Sequence, residues 1–197
     1  MLNRIKRLIT NLFQIGRFRM YSKTDHVPII YEIARGKAKS GHLDNYLELG
    51  IALGACFNKV APLAKKAFAV DTNPDSIKCI KADNCESFLC DTDSFFKGLG
   101  ANNPIHFDLI FIDANHQKEF VEKDFYNSYD RLAPDGLIIM HDSYPPNESY
   151  TKPELCGNGW KVFDIHIEEH FEAVRLPFYF GLTIIRKPDT SHFEGWK

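Results

Sequence analysis

Tyr46-Leu47-Glu48-Leu49-Gly50-Ile51-Ala52-Leu53-Gly54 reads as a short buried strand, an acidic residue at its exit, and a glycine-bearing turn. An α/β protein brings a nucleoside against its backbone in this way. Glycine is needed where no Cβ fits, because φ is positive or because a ligand lies on the main chain. Seventeen residues after Gly54 a second apolar run, Ala67-Phe68-Ala69-Val70, closes on Asp71. A carboxylate about 20 residues past a glycine turn is placed to accept hydrogen bonds from a ribose diol. The two features together indicate a nucleoside-binding α/β domain.

The turn narrows the choice of nucleoside. Gly50-Ile51-Ala52-Leu53-Gly54-Ala55 gives only G-x-A-x-x-A where a dinucleotide site wants G-x-G-x-x-G, and no Gly-Lys-Ser/Thr phosphate loop is present. The acid-x-Gly-x-x-x-Gly form beginning at Glu48 resembles motif I of the class I S-adenosylmethionine-dependent methyltransferases. In that motif the turn faces a methionine moiety and no pyrophosphate.

Working outward, the pattern predicts a helix from Asp25 to Lys39, stopped by Ser40-Gly41. Strand one at Tyr46–Leu49 leads to a helix reaching about Lys65, then strand two at Ala67–Val70 and a helix from Pro74 to about Ala82. Ser87–Cys90 is a short strand closed by Asp91, and Asp93–Leu99 a brief helix. Phe107–Ile112 is the clearest strand and ends at Asp113. Lys118–Leu132 is an amphipathic helix, and Pro134-Asp135-Gly136 turns the chain into strand five, Leu137–Met140, which ends at His141-Asp142. Ser143 to Gly159 is a long aperiodic loop, of the kind that usually carries function. A helix at Trp160–His170 and strands at Phe171–Leu176 and Gly181–Arg186 complete the order. Strands alternating with helices imply a doubly wound, mostly parallel seven-stranded sheet in a single α/β domain over residues 25–190. Residues 191–197 form a tail.

Residues 1–24 contain no acid, six Lys or Arg, and apolar residues Leu2, Ile5, Leu8, Ile9, Leu12 and Phe13 at helical spacing. A basic amphipathic helix is expected there. It closes over the site, or serves peripheral membrane contact or self-association through residues 1–20. Hydrophobic content of 44% and charged content of 25% are ordinary for a soluble domain. A net charge of −2 gives no global attraction to nucleic acid, so no nucleic-acid partner is expected. Five cysteines without a C-x-x-C pair favour reduced thiols and a cytoplasmic location, and no apolar run reaches transmembrane length.

In open α/β sheets ligands bind beyond the carboxyl ends of the strands. The residues just past each strand therefore make up the candidate site: Glu48 with Gly50 and Gly54, then Asp71, Asp91, Asp113 with His116, and His141 with Asp142. The segments Phe107–His116 and Leu132–Asp142 resemble a small bacterial methyltransferase family with the pattern F-D-x-I-x-I-D-G-x-H, then L-x-P-G-G, then H-D. Ala114 replaces the first of those glycines and Asp135 the second. The closing Gly181–Lys187 matches the family's last strand, so the resemblance covers roughly residues 45–187.

The resemblance implies S-adenosylmethionine as cofactor. Glu48, Gly50 and Gly54 would line its methionine and ribose side, Asp71 would hold the ribose hydroxyls and Asp91 the adenine amino group, with Asp113 beside the methyl donor. It fixes the cofactor better than the acceptor, a small molecule or saccharide methylated most readily on oxygen. A hydroxyl acceptor must lose its proton to a base or to an acidifying metal. Asp113 and Asp142 stand where catechol-type O-methyltransferases place metal carboxylates, which would suit Mg²⁺ or another divalent ion. In that pattern Asn follows the second acid; here it is Ser143. Without a metal, His116 or His141 would be the base, with Asp113 as third catalytic group. An NAD-dependent oxidoreductase is disfavoured by the glycine spacing and the lack of a Tyr-x-x-x-Lys dyad after strand four or five. Acids or histidines at five strand ends argue against a non-catalytic nucleoside-binding protein.

Overall fold

The computed structural model describes residues 26–100, 105–163, 171–177 and 180–188. The basic helix expected at 1–24, most of the helix expected at Trp160–His170, and the tail lie outside these. Helix α1 (His26–Lys39) precedes β1 (Asn45–Leu49), α2 (Phe57–Val60), β2 (Lys66–Asp71), α3 (Pro74–Lys78) and β3 (Cys85–Leu89). Then come α4 (Thr92–Leu99), β4 (Phe107–Ile112), α5 (Lys118–Asp130), β5 (Leu132–His141), β6 (Glu172–Leu176) and β7 (Leu182–Arg186).

The seven strands form one sheet in the order β3-β2-β1-β4-β5-β7-β6. Strands β1 to β5 are parallel, and β7 runs antiparallel to both β5 and β6. Chain order reverses between β1 and β4, so the sheet opens a crevice above that pair. Alternate residues face opposite sides. Leu47, Leu49, Phe68, Val70, Ile110, Ile112 and Ile138 pack with Phe95 of α4 and Val121 and Phe125 of α5. Tyr46, Ala67, Ala69, Leu109, Phe111 and Ile139 pack with Val27, Ile30 and Ala34 of α1 and Phe57 and Val60 of α2.

Several elements differ from their sequence-based bounds for local reasons. The helix after the glycine turn is a single turn at Phe57–Val60, followed by a 3₁₀ turn at Ala61–Leu63 that contains Pro62. Proline disfavours α geometry in the residue before it. Helix α3 stops at Lys78 because Asn58 takes over the next main-chain groups: its Nδ2 donates to the Cys79 carbonyl and its Oδ1 accepts from Lys81 N–H. The Pro134-Asp135-Gly136 segment is not a turn before β5 but an irregularity within it. Phe107 pairs with Leu132, yet Leu109 pairs with Leu137. Asp135 there adopts φ +58, a conformation that aspartate tolerates better than most residues.

Gly50 has φ +87, and a Cβ at that position would stand 2.2 Å from the Asp113 carbonyl oxygen. The β1 exit therefore approaches the β4 exit as closely as backbone allows, which sets the depth of the crevice. Gly50→Ala is expected to cost roughly 3 kcal/mol or more of stability, combining left-handed strain with overpacking. Chemical denaturation of the variant checks this; a loss below about 1 kcal/mol would contradict it.

Candidate active site

Parallel strands deliver their carboxyl ends to one side of the sheet, and the acids and histidines singled out in the sequence collect there. Asp71 ends β2. Its Oδ2 accepts from the N–H groups of Ile51 (2.8 Å) and Ala52 (3.2 Å), and its Oδ1 from Asn73 N–H (2.7 Å). The carboxylate thus stitches the glycine turn to the start of α3. A carboxylate offers about four acceptor sites, so capacity for a further donor remains. Asp91 is the N-cap of α4, with Oδ1 accepting from Ser94 N–H (2.7 Å) and Oδ2 from the Ser94 hydroxyl (2.9 Å). These bonds, the backbone one first, hold its carboxyl below the usual range.

A cleft of about 340 Å³ runs along these ends, lined by Gly50, Ala52, Asp71, Asp91, Asp113 and Phe120 among others. Gly54 and Glu48 do not line it. Gly54 has φ +72 and abuts Asn58 and the Cys79 carbonyl, so its role is to close the turn. Glu48 is 1% exposed and faces the α1/α2 side, where the Tyr46 hydroxyl donates to its Oε2. The alternation of β1 puts it there: Tyr46 and Glu48 share one face, and Leu47 and Leu49 the other. The expected contact between Glu48 and a cofactor is replaced by a buried acid supporting the strand. Burial raises its pKa to about 8, with the Asp113 charge adding to the shift and the Tyr46 bond opposing it.

At the ends of β4 and β5 a second constellation forms. His141 Nδ1 lies 3.2 Å from Asp113 Oδ1 and 3.5 Å from Asp142 Oδ2. His116 Nε2 lies 2.9 Å from Asp142 Oδ2 and 3.9 Å from Asp113 Oδ1. Asp142 reaches this position in a left-handed conformation, φ +56, of the sort that clusters at functional sites. The Cys156 thiol donates to its Oδ1 at 3.5 Å. Asp113, His141 and Asp142 offer one ligand atom each within 4.8 Å of one another, a spacing that could hold a metal ion.

The charges in this group set each other's protonation. Interaction of its ring N–H with the carboxylates of Asp113 and then Asp142, which accept, raises His116 to about 10. Burial pulls His141 down, but the Asp113 charge and bonds to both aspartates overcome it and leave the ring at about 10. Burial pushes Asp113 and Asp142 up, and the histidines reverse this and hold both carboxyls below the usual range. Two carboxylates and two imidazoliums thus balance. In the protein alone both rings are held towards the protonated form by the two carboxylates. His26, at the start of α1, packs its ring 4.3 Å from the His141 ring centre; burial first, and the His141 charge second, lower it to about 4.

Sequence reading missed Phe120, Asn115, Thr92 and Asp124, all of which line the cleft. The signal was present in α5: spacing puts Asp124 on the same inner face as Val121, Phe125 and Ser128, all buried. An acid on a buried helical stripe calls for an explanation.

Residues 47–143 match the model of a family described as a methyltransferase domain. No curated protein matches the sequence. Among solved structures the chain is similar to the O-methyltransferase TomG of Streptomyces achromogenes, in complex with S-adenosylmethionine, at 14% identity and TM-score 0.68, covering 86% of this chain and 82% of that one. It is also similar to a putative caffeoyl-CoA O-methyltransferase of Staphylococcus aureus, at 17% identity and TM-score 0.64, covering 95% and 100%. The N-methyltransferase NodS of Bradyrhizobium japonicum shares the fold at 19% identity and TM-score 0.58, covering 81% and 94%. Oxygen and nitrogen methylation both occur on this architecture, so fold alone does not name the acceptor atom. The sheet order and the antiparallel β7 are those of the fold that these methyltransferase structures share.

A carboxyl kept protonated by burial destabilises the fold as the unfolded chain ionises. The folded-state pKa of Glu48 lies above its unfolded value of 4.5, so stability falls as pH rises from about 4.5 to about 8. Glu48→Gln, which keeps shape and cannot ionise, is expected to flatten the stability profile over that window. Denaturant midpoints measured from pH 5 to pH 8 check this, and parallel profiles for parent and variant would contradict it.

Proposed function

We propose that the protein is an S-adenosylmethionine-dependent methyltransferase acting on an oxygen of a small ring-bearing or saccharide acceptor, and that Asp113, His141 and Asp142 hold a divalent cation beside the reacting groups. The observation that carries the reading is the position of Asp113. It lines the nucleoside-sized cleft and also the small cavity that contains His116, His141 and Asp142. A cofactor seated in the cleft with its ribose on Asp71 therefore presents its sulfonium end towards this cluster. Bound there, the cofactor supplies an electrophilic methyl group for in-line displacement, and the chain's task is alignment.

Two carboxylates and an imidazole suit a divalent ion of the Mg²⁺ or Mn²⁺ type. Such an ion would acidify an acceptor hydroxyl, which is the support for oxygen over nitrogen. The Ser143 side chain, in place of the pattern's Asn, is buried, and among the described residues its Oγ has no hydrogen-bond partner. The ligand set we favour therefore takes its imidazole from His141.

The acceptor side is the loop after Asp142. A cavity of about 560 Å³ is lined by Tyr144, Asn147, Trp160, Lys161 and Arg175. Arg175 pairs with Thr183, and Thr183 with Met140, so this cavity stands level with the end of β5. The loop is also fixed to the cluster, since Asn158 and Gly159 N–H both donate to the His116 carbonyl. Tyr144 and Trp160 give flat apolar walls with polar tips, as a ring-bearing acceptor requires. Residues 1–20 remain the segment we assign to closure of this opening or to membrane contact and self-association.

All five cysteines are free, and among the described residues no helix is long and apolar enough to cross a membrane. Reduced thiols support assignment to the cytoplasm.

Calorimetry with S-adenosylhomocysteine is expected to give micromolar affinity. Asp71→Ala should weaken it by roughly 1.5–3 kcal/mol, about 10- to 100-fold. Absence of binding to the parent protein at millimolar ligand would overturn the cofactor site. The metal reading is tested separately by titrating Mn²⁺ and following the paramagnetic signal of the free ion. Saturable binding, lost in Asp142→Ala while cofactor affinity survives, is expected; an unchanged signal in the parent protein would sink the metal site.

A further inference from the structure

We propose that the cavity walled by Trp160, Lys161 and Arg175 takes an oxyanionic group of the acceptor, a carboxylate or a phosphate carried on its ring. The inference rests on the reading of this cavity as the acceptor side, and adds the charge of the molecule that enters it. The cavity and the charged cluster share a wall. Gly157 and Asn158 line the larger space, and the N–H groups of Asn158 and Gly159 donate to the His116 carbonyl. A Cβ at Gly157 would stand 2.3 Å from that same carbonyl oxygen, so no side chain thickens the partition.

Donors dominate the polar groups of this cavity. Lys161 and Arg175 are cations without an acceptor atom, and the indole N–H of Trp160 can only donate. That indole nitrogen is buried and has no hydrogen-bond partner among the described residues. Two lining asparagines add to the donor set. Asn147 Oδ1 is occupied, accepting from the Ser149 N–H (3.0 Å) and the Ser149 hydroxyl (2.6 Å). Asn158 Oδ1 accepts from Lys118 N–H at 2.7 Å. These bonds fix which end of each amide is the carbonyl and leave the NH₂ group to donate elsewhere. Glu148 is the one acid among the described lining residues; it is exposed, and two cations outweigh it.

Aromatic rings set the positions of both cations. The Arg175 guanidinium carbon lies 5.9 Å from the Tyr144 ring centre and 5.8 Å from that of Phe163. Lys161 Nζ lies 5.8 Å from the Trp160 ring centre. An aromatic face holds a cation without neutralising it. The guanidinium fork matches the oxygens of a carboxylate or a phosphate. A neutral acceptor entering here strips water from the two cations and returns no charge, whereas an oxyanion pairs with them. The cavity therefore selects by charge.

The test is calorimetry of the full-length protein, with and without S-adenosylhomocysteine, against three probes that share a phenol ring. These are 4-hydroxybenzoate, 4-hydroxyphenyl phosphate and the neutral 4-hydroxybenzyl alcohol. At least one anion is expected to bind about 10-fold or more tighter than the alcohol, and the leading anion tells carboxylate from phosphate. Arg175→Gln should cut that preference below about 3-fold while affinity for S-adenosylhomocysteine stays at the parental level. Glu148→Gln, which removes the lining acid, should keep or widen the preference. Should Arg175→Gln fail to fold, the double variant Trp160→Phe with Lys161→Gln decides, by the same narrowing. Equal binding of anions and alcohol to the parent protein overturns the anion assignment and leaves the methyl-transfer reading standing. So does a parental preference in folded Arg175→Gln, a narrowed one in Glu148→Gln, or no saturation by either anion at millimolar concentration. No binding of S-adenosylhomocysteine to the parent protein overturns both.

Discussion

Two carboxylates, Asp113 and Asp142, end neighbouring strands and face one small cavity, and their repulsion must be offset by positive charge. In the protein alone two imidazoliums supply it: His141 bridges both acids and His116 pairs most closely with Asp142. Unpaired buried charges of this kind would be among the costliest features a fold can hold. Much of the surrounding structure secures the arrangement. Asp142 accepts a left-handed backbone, the 157–159 turn holds the His116 carbonyl, and His26 of α1 packs over the His141 ring.

The nucleoside half of the crevice is built on backbone. Gly50 lets the β1 exit lie against the Asp113 carbonyl, and Asp71 ties Ile51 and Ala52 back to β2. The turn is therefore anchored before any ligand arrives, which lowers the ordering cost of binding. Asp113 belongs to both halves. It lines both the cleft and the small cavity of His116, His141 and Asp142.

The strands were legible because period-2 burial on both faces leaves long apolar runs, and Phe107–Ile112 is the cleanest. The parallel order and the collection of acids at one end followed from alternation with helices. Side-chain direction was less accessible. Glu48 lies one residue from the strand exit, and only the observed register shows it beneath the sheet, bonded to Tyr46. Element ends set by distant partners were also hidden: Asn58 stops α3 across a gap of more than twenty residues. Asp124 was signalled by its place on the inner stripe of α5, but its partner Thr92, on another helix, was not. The protonation of His116 and His141 could not be read from spacing, since it depends on ångström-scale contact with both aspartates.

The central claim is that one continuous crevice seats the cofactor from Asp91 to Asp113 and delivers its methyl group to the Asp113–His141–Asp142 cluster. A crystal structure of the complex with S-adenosylhomocysteine tests it most directly. The account predicts the ribose hydroxyls on Asp71 and the sulfur at the Asp113 end, facing the cavity of His116, His141 and Asp142. A ligand lying in the reverse direction, with its sulfur towards Asp91, or seated outside the crevice, would contradict it.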